Sequence, residues 1–138
     1  MSETGFALDP RLQADTRRVA SLALCDVLLM NDTRFPWLVL VPRRADLVEI
    51  CDLQADEQTL LWHEVNLASQ ALRATSPFDK LNLGALGNIV RQLHIHVVGR
   101  REGDAAWPGP VWGSGRALPY DADALASRMS ELRHQLMP

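Results

Sequence analysis

The stretch Gln92-Leu93-His94-Ile95-His96-Val97-Val98 sets polar against apolar residues at alternate positions. A strand sends successive side chains to opposite faces, so Gln92, His94 and His96 share one face and Leu93, Ile95 and Val97 the other. The apolar set decides the register, because a slip of one residue would turn both imidazoles into the core. Same-face neighbours on a strand stand about 6.6 Å apart, two rises of ~3.3 Å. The segment therefore offers a pair of imidazoles to whatever lies above the sheet, and the pattern predicts a strand from Val90 to Val98.

Just upstream, Leu81-Asn82-Leu83 reads as a strand entering the glycine-containing turn Gly84-Ala85-Leu86-Gly87-Asn88. From Asp56 to about Ala74 the period changes. Leu61, Val65, Ala68 and Leu72 recur at helical spacing, with Asp56 and Glu57 in the first turn, where the helix dipole favours anions. Nearer the N-terminus, Leu24-Cys25-Asp26-Val27-Leu28-Leu29-Met30 and Trp37-Leu38-Val39-Leu40-Val41 are runs of strand length joined through Asn31 and Asp32, which predicts an antiparallel pair. Asp9-Pro10 opens a short helical stretch from Arg11 to about Val19. At the other end Asp121 caps a predicted helix over 121–136 with Leu125, Met129, Leu132 and Leu136 on one face. Strands with hairpin-length links, interrupted by helices, predict an α+β domain on an antiparallel sheet.

The chain has 138 residues, enough for one domain, 1–138, and no second lobe. Its 14 basic and 17 acidic residues leave a net charge of −3 with no polybasic run, which disfavours a partner of long nucleic acid. Of the basic residues only Lys80 is a lysine, a bias that carries no function. Cys25 and Cys51 lack any metal-ligand spacing and are expected to be reduced and mostly buried thiols. The N-terminus MSETGFALDPRLQ has no apolar core behind a basic start, and no run approaches the ~18 apolar residues of a membrane span. A cytoplasmic protein with no membrane association is expected.

Three readings of the histidine pair stand side by side. The face can be merely solvent-exposed, or the imidazoles can simply be satisfied by hydrogen bonds. His-x-His can chelate a metal, given a third ligand such as His63, Glu64 or Asp104, none of which stands at a diagnostic spacing. Or the pair can act on phosphorus: one imidazole, with an unperturbed pKa near 6.5, attacks as the neutral base, while the second is kept protonated by phosphate oxygens.

QLHIHVV, followed by Gly99-Arg100, resembles the signature of the histidine-triad (HIT) superfamily of nucleotide hydrolases and transferases, in which three histidines alternate with hydrophobic residues. LLMNDTRFPWLVLVPRR resembles the family's first hairpin, KLNLGALGN its strand and turn before the triad, and Trp107-Pro108-Gly109 its proline-rich tail, so the resemblance covers about residues 20–115. It implies an antiparallel five-stranded sheet with flanking helices, pairing into a homodimer. It also implies that His94 is the nucleophile and that His96 contacts the phosphate and helps the departing group.

Gln92 stands in the first histidine's place, which puts the chain among bacterial-type relatives with that exchange; its carbonyl remains available to orient the ring of His94. Ile89 stands where several relatives carry a hydroxyl residue aimed at the phosphate, and Asn88 can supply a donor instead. The resemblance implies a ribose contact from Asn31 or Asp32, whose bland reading is turn chemistry. Asn82 matches a family asparagine near the phosphate, and is otherwise an edge or turn residue. Trp37, Trp62, Trp107 and Trp112 read as core or interface. Arg43-Arg44 and Arg100-Arg101 read as solvated pairs sooner than as anion-steering groups.

The expected function is a nucleotide hydrolase or transferase acting on nucleoside phosphate anhydrides, esters or phosphoramidates, on the pattern of a dinucleoside polyphosphate hydrolase, through a covalent nucleotidyl-histidine. No cofactor is required, and a magnesium ion on a polyphosphate substrate is compatible with the scheme. The alternatives are a non-catalytic nucleotide-binding or interaction module and a His-x-His metalloenzyme.

Overall fold

Five short runs rich in Val, Leu and Ile pair into one sheet: Thr16–Ser21 (β1), Cys25–Met30 (β2), Trp37–Pro42 (β3), Lys80–Gly84 (β4) and Ile95–Arg100 (β5). Their spatial order is β1-β2-β3-β5-β4, and every neighbouring pair is antiparallel. The computed structural model describes residues 3–137 of the chain. Helix α1 (Pro10–Asp15) precedes the sheet, α2 (Ala55–Thr75) separates β3 from β4, and α3 (Ala122–Leu136) ends the chain's described part. The fold is thus the expected α+β arrangement of a five-stranded antiparallel sheet with flanking helices.

The alternation in each strand assigns its faces. Val27, Leu29, Leu38, Leu40, Ile95 and Val97 point to the face covered by α2 and α3, where they meet Leu61, Val65, Ala68, Leu72 and Leu132. Each fully buried aliphatic side chain contributes roughly 1.5–3 kcal/mol from leaving water. The predicted stripe of α2 is the buried one, and Asp121 caps α3 by accepting from the backbone N–H of Ala124 at 2.8 Å. Leu28, Trp37, Val39, Val41 and Val98 face the other way and pack with Leu12, Phe35 and Val111. No helix is long and apolar enough to cross a membrane among the described residues.

Three expectations about elements need correction. The helix predicted from Arg11 to about Val19 stops at Asp15: the N–H and the hydroxyl of Thr16 both turn back to the carbonyl of Leu12, and Thr16 begins β1. A bulge between Arg18 and Ala20 breaks the alternation of β1, which hides it from a period-2 reading. The strand predicted over Val90–Val98 begins only at Ile95, because the last β3 residue opposite it is Leu40, and β4 ends at Gly84 opposite His96. With no ladder partner on either side, although β3 itself runs on to Pro42, the Leu93 N–H goes to the carbonyl of Leu47 instead. Cys25 is buried as expected, but Cys51 is exposed, since it sits in a single 3-10 turn at Ile50–Asp52.

Candidate active site

His94 and His96 do lie on one face of the same segment, yet neither is solvent-exposed; each retains 6% of its surface. The solvent-exposed form of the bland reading is therefore overturned, whereas its other form, imidazoles satisfied by hydrogen bonds, agrees with one bond at each ring. A cavity of about 850 Å³ opens above the two rings. Its walls come from α1, the end of β2 at Met30 and Asn31, the turn 86–90 and the segment 111–119. That volume falls within the range of small-molecule sites.

The backbone orients His94. Its Nδ1 lies 2.7 Å from the carbonyl oxygen of Gln92. A carbonyl only accepts, so Nδ1 carries the proton, and in the neutral ring Nε2 is left with the lone pair. This contact needs no particular side chain at position 92. The Gln92 side chain turns elsewhere: its Nε2 donates to the carbonyl of Ala7 at 2.8 Å and its Oε1 accepts from the Asp9 N–H at 2.9 Å. Gln92 thus fastens the segment that leads into α1, one of the cavity walls.

His96 is held differently. The ring packs against His94 (centroids 4.9 Å apart), Trp37 (5.7 Å) and Trp112 (5.4 Å). The Trp37 indole N–H donates to His96 Nδ1 at 3.0 Å. Burial, reinforced by the neighbouring charge of His94, pushes the His96 pKa down to about 3. Burial thus favours the neutral form of His96 in the folded chain, and the protonated partner expected from sequence is one with phosphate oxygens beside it. Trp112 reaches this position by lying across Gly84, where a Cβ would come within 2.7 Å of the indole.

The remaining expected residues divide. Asn31 and Asn88 line the cavity. Asn31 also accepts the backbone N–H of Tyr120 through Oδ1 at 2.9 Å. Asp32 lines the cavity too but is 1% exposed, and its carboxylate is taken up by Arg34 and the Leu118 N–H. Burial would raise its pKa, but these donors outweigh it and hold the carboxyl below its ordinary value. Turn chemistry thus accounts for Asp32. Asn82 is not among the cavity residues; its Oδ1 accepts from Arg100 Nη1 at 2.9 Å.

Several contributors escape a reading of the sequence. Arg34, bound to Asp32, also donates to the Ser114 carbonyl at 2.6 Å, so one arginine ties the 111–119 wall to the end of β2. Arg100, expected to be a solvated arginine, is 1% exposed and bonds Asp104, Asn82 and the Gly109 carbonyl. Arg43 pairs with Asp26 and Arg44 with Glu57, so neither is a free steering charge. Trp37 is buried as expected, whereas Trp62 and Trp107 are 51% and 38% exposed. No local spacing signals the contacts of Arg34 with Ser114 or of Trp37 with His96, which lie 80 and 59 positions apart.

The metal reading gains no third ligand. His63 is exposed on α2, Glu64 accepts the N–H groups of Leu24 and Cys25, and Asp104 is engaged with Arg100. Among the described residues no three His, Cys, Asp or Glu side chains come together as a metal site would require.

Known proteins share this fold. The HIT domain family matches residues 11–103. Crystal structures of histidine triad proteins superpose over nearly the whole chain. The protein from Sinorhizobium meliloti 1021 is 47% identical with a TM-score of 0.93, covering 98% of this chain and 100% of that one. The protein from Bradyrhizobium japonicum is 46% identical with a TM-score of 0.91, covering 95% and 98%. That from Marinobacter aquaeolei VT8 is 44% identical with a TM-score of 0.92, covering 95% and 96%. A large tegument protein deneddylase of Psittacid herpesvirus 1 is 34% identical over 94 residues, 67% of this chain but 3% of that far longer protein. Two imidazoles under a walled cavity, a family match spanning most of the chain and end-to-end likeness to histidine triad structures agree: the chain belongs to the HIT domain family.

Proposed function

We propose that this protein is a nucleotide hydrolase or transferase that cleaves nucleoside phosphate anhydrides, esters or phosphoramidates through a covalent nucleotidyl-histidine on His94. The observation that carries this reading is the 2.7 Å contact of His94 Nδ1 with the Gln92 carbonyl. It commits the proton to Nδ1 and leaves Nε2 as the nucleophile on the cavity side, with a nearby second imidazole to contact the phosphoryl oxygens. The cavity of about 850 Å³ matches a nucleotide in size, and Asn31 at its edge is the candidate ribose contact. The chemistry requires no cofactor; a magnesium ion accompanying a polyphosphate substrate is compatible with it. A homodimer is part of the same reading, with exposed Leu83 on the edge strand β4 and Trp62 on α2 as surfaces for a second copy. Light scattering giving a monomer mass would remove that part.

Mixing the protein with adenosine 5′-(p-nitrophenyl) phosphate, whose leaving group departs without a proton, and quenching early is expected to add one adenylate mass to the peptide holding His94. A second reading, a nucleotide-binding module without catalysis, draws support from Gln92, whose side chain turns away from the site, and from Ile89, which is 75% exposed at the cavity rim. Tight nucleotide binding with neither adduct nor turnover would establish that reading and end the hydrolase assignment.

A further inference from the structure

The Trp37 indole nitrogen is a hydrogen-bond donor and never an acceptor. At 3.0 Å from His96 Nδ1 it requires a lone pair there, so the single ring proton of His96 sits on Nε2. A second proton on Nδ1 would set two N–H groups against each other and break this bond. The ring has little freedom to escape it, being 6% exposed and hemmed by Trp37, Trp112 and His94. The charged groups on the surrounding walls, Arg11, Asp15, Asp32 and Arg34, belong to the same cavity, and Asp32 is neutralised by Arg34. Position 37 lies on β3 diagonally from His96, which pairs with Val39, so the contact is built into the register of two central strands.

We propose that Trp37 is a positioning residue that keeps His96 as a neutral Nε2–H hydrogen-bond donor, so that the site favours leaving groups able to depart without a proton. Anhydrides then rank above phosphoramidates of alkyl amines. This rests on the hydrolase reading above for its second half only. A neutral imidazole donates a hydrogen bond but does not surrender its remaining proton at ordinary pH, whereas an imidazolium does both. In the first step the Nε2 lone pair of His94 forms a bond to the α-phosphorus while the bridging P–O bond breaks, and the departing phosphate leaves with that electron pair as an oxyanion. His94 keeps its Nδ1 proton and becomes a phosphorylated imidazolium. Water then bonds to phosphorus, the P–N electrons return to Nε2, and the water proton passes to solvent. With an alkyl amine, the same first step would expel an amide anion unless its nitrogen were protonated beforehand, and His96 held in this form supplies no such proton.

Two measurements test this. In nitrogen-15 NMR of the wild-type protein, His96 is expected to show a protonated Nε2 and a bare Nδ1, unchanged across neutral and mildly acidic pH. An Nδ1–H tautomer or an imidazolium in that range overturns the proposal whether or not the protein is a hydrolase. The second uses adenosine 5′-monophosphate aryl esters, from nitrophenyl to unsubstituted phenyl, under single-turnover conditions. The rate of aryl oxide release is expected to fall by about 10²-fold or more across the series, the size of a missing general acid. In Trp37→Phe, which keeps an aromatic ring but removes the donor, the gap should narrow by about tenfold, as when the partner orienting a functional histidine is removed. A flat series in the wild type, or an unchanged gap in Trp37→Phe, overturns the leaving-group half while the hydrolase stands. Absence of turnover with every ester ends the hydrolase reading and the leaving-group half with it, and the role of Trp37 is then decided by the NMR tautomer alone.

Discussion

The two faces of the sheet are closed by different means. On one, α2 and α3 lay aliphatic stripes over Val27, Leu29, Leu38, Leu40, Ile95 and Val97, and the result is a dry core. On the other, a short helix and irregular segments are held by arginine–aspartate pairs, Arg34 with Asp32 at the wall of the cavity over His94 and His96 and Arg100 with Asp104 outside its lining. A helix covers its face continuously because its side chains repeat every turn. A loop covers only where it is pinned, which leaves room for a ligand but requires the pins to be buried and fully hydrogen-bonded.

The sharpest way to separate the faces is to remove one group from each. His94→Ala is expected to lower turnover by about 10³-fold or more, as loss of a covalent nucleophile does. Because the ring is buried, the same change also costs stability, about 1 kcal/mol, which thermal unfolding reads. Wild-type turnover in this variant would remove His94 from the mechanism. Leu72→Ala, on the fully buried stripe of α2, should do the reverse: a loss of about 2–5 kcal/mol in denaturant unfolding, with turnover of the remaining folded protein unchanged.

Asp104 tests the pins. Hydrogen bonds from Arg100 hold its carboxyl down to about 2, with backbone N–H groups of Arg101 and Ala106 adding to the effect. A carboxyl depressed in the folded state stabilises above its unfolded pKa, near 3.9, and that stabilisation is lost as pH falls toward about 2. Asp104→Asn leaves the Arg100 charge buried without its counter-ion and should cost about 3 kcal/mol at neutral pH. It should also flatten the fall in stability between about pH 4 and 2, measured by urea unfolding at each pH. A variant as acid-sensitive as the wild type would show that the pair is not what responds. Gly84→Ala is the mildest of these changes: it pushes the Trp112 indole off the strand at a cost of about 1 kcal/mol. Substrate KM should rise by a larger factor than kcat falls, since Trp112 forms a wall of the cavity and packs on His96, whereas His94 is left untouched.

The same contrast explains what is legible in the sequence. Leu61, Val65, Ala68 and Leu72 announce α2 by their spacing, and the alternation through Leu93, Ile95 and Val97 correctly places His94 and His96 on one face. The alternation does not show where β5 begins, since a chain can remain extended after its ladder pairing has ended. Nor does it show β1, whose bulge interrupts the period. Gln92 reads as a stand-in within the histidine motif, but its side chain fastens the residues ahead of α1 while its carbonyl orients His94.

Local repetition along the chain is enough to specify the strand and helix periods, the apolar faces, the placement of two imidazoles side by side and the resemblance to the HIT family. The protonation chemistry of those imidazoles, by contrast, is set only in the folded molecule. The Trp37 indole reaches His96 from 59 residues away, and Arg34 reaches Ser114 across 80. Hydrogen bonds between residues so far apart carry no local pattern, because their geometry comes from strand register and loop closure, and those exist only once the chain has folded.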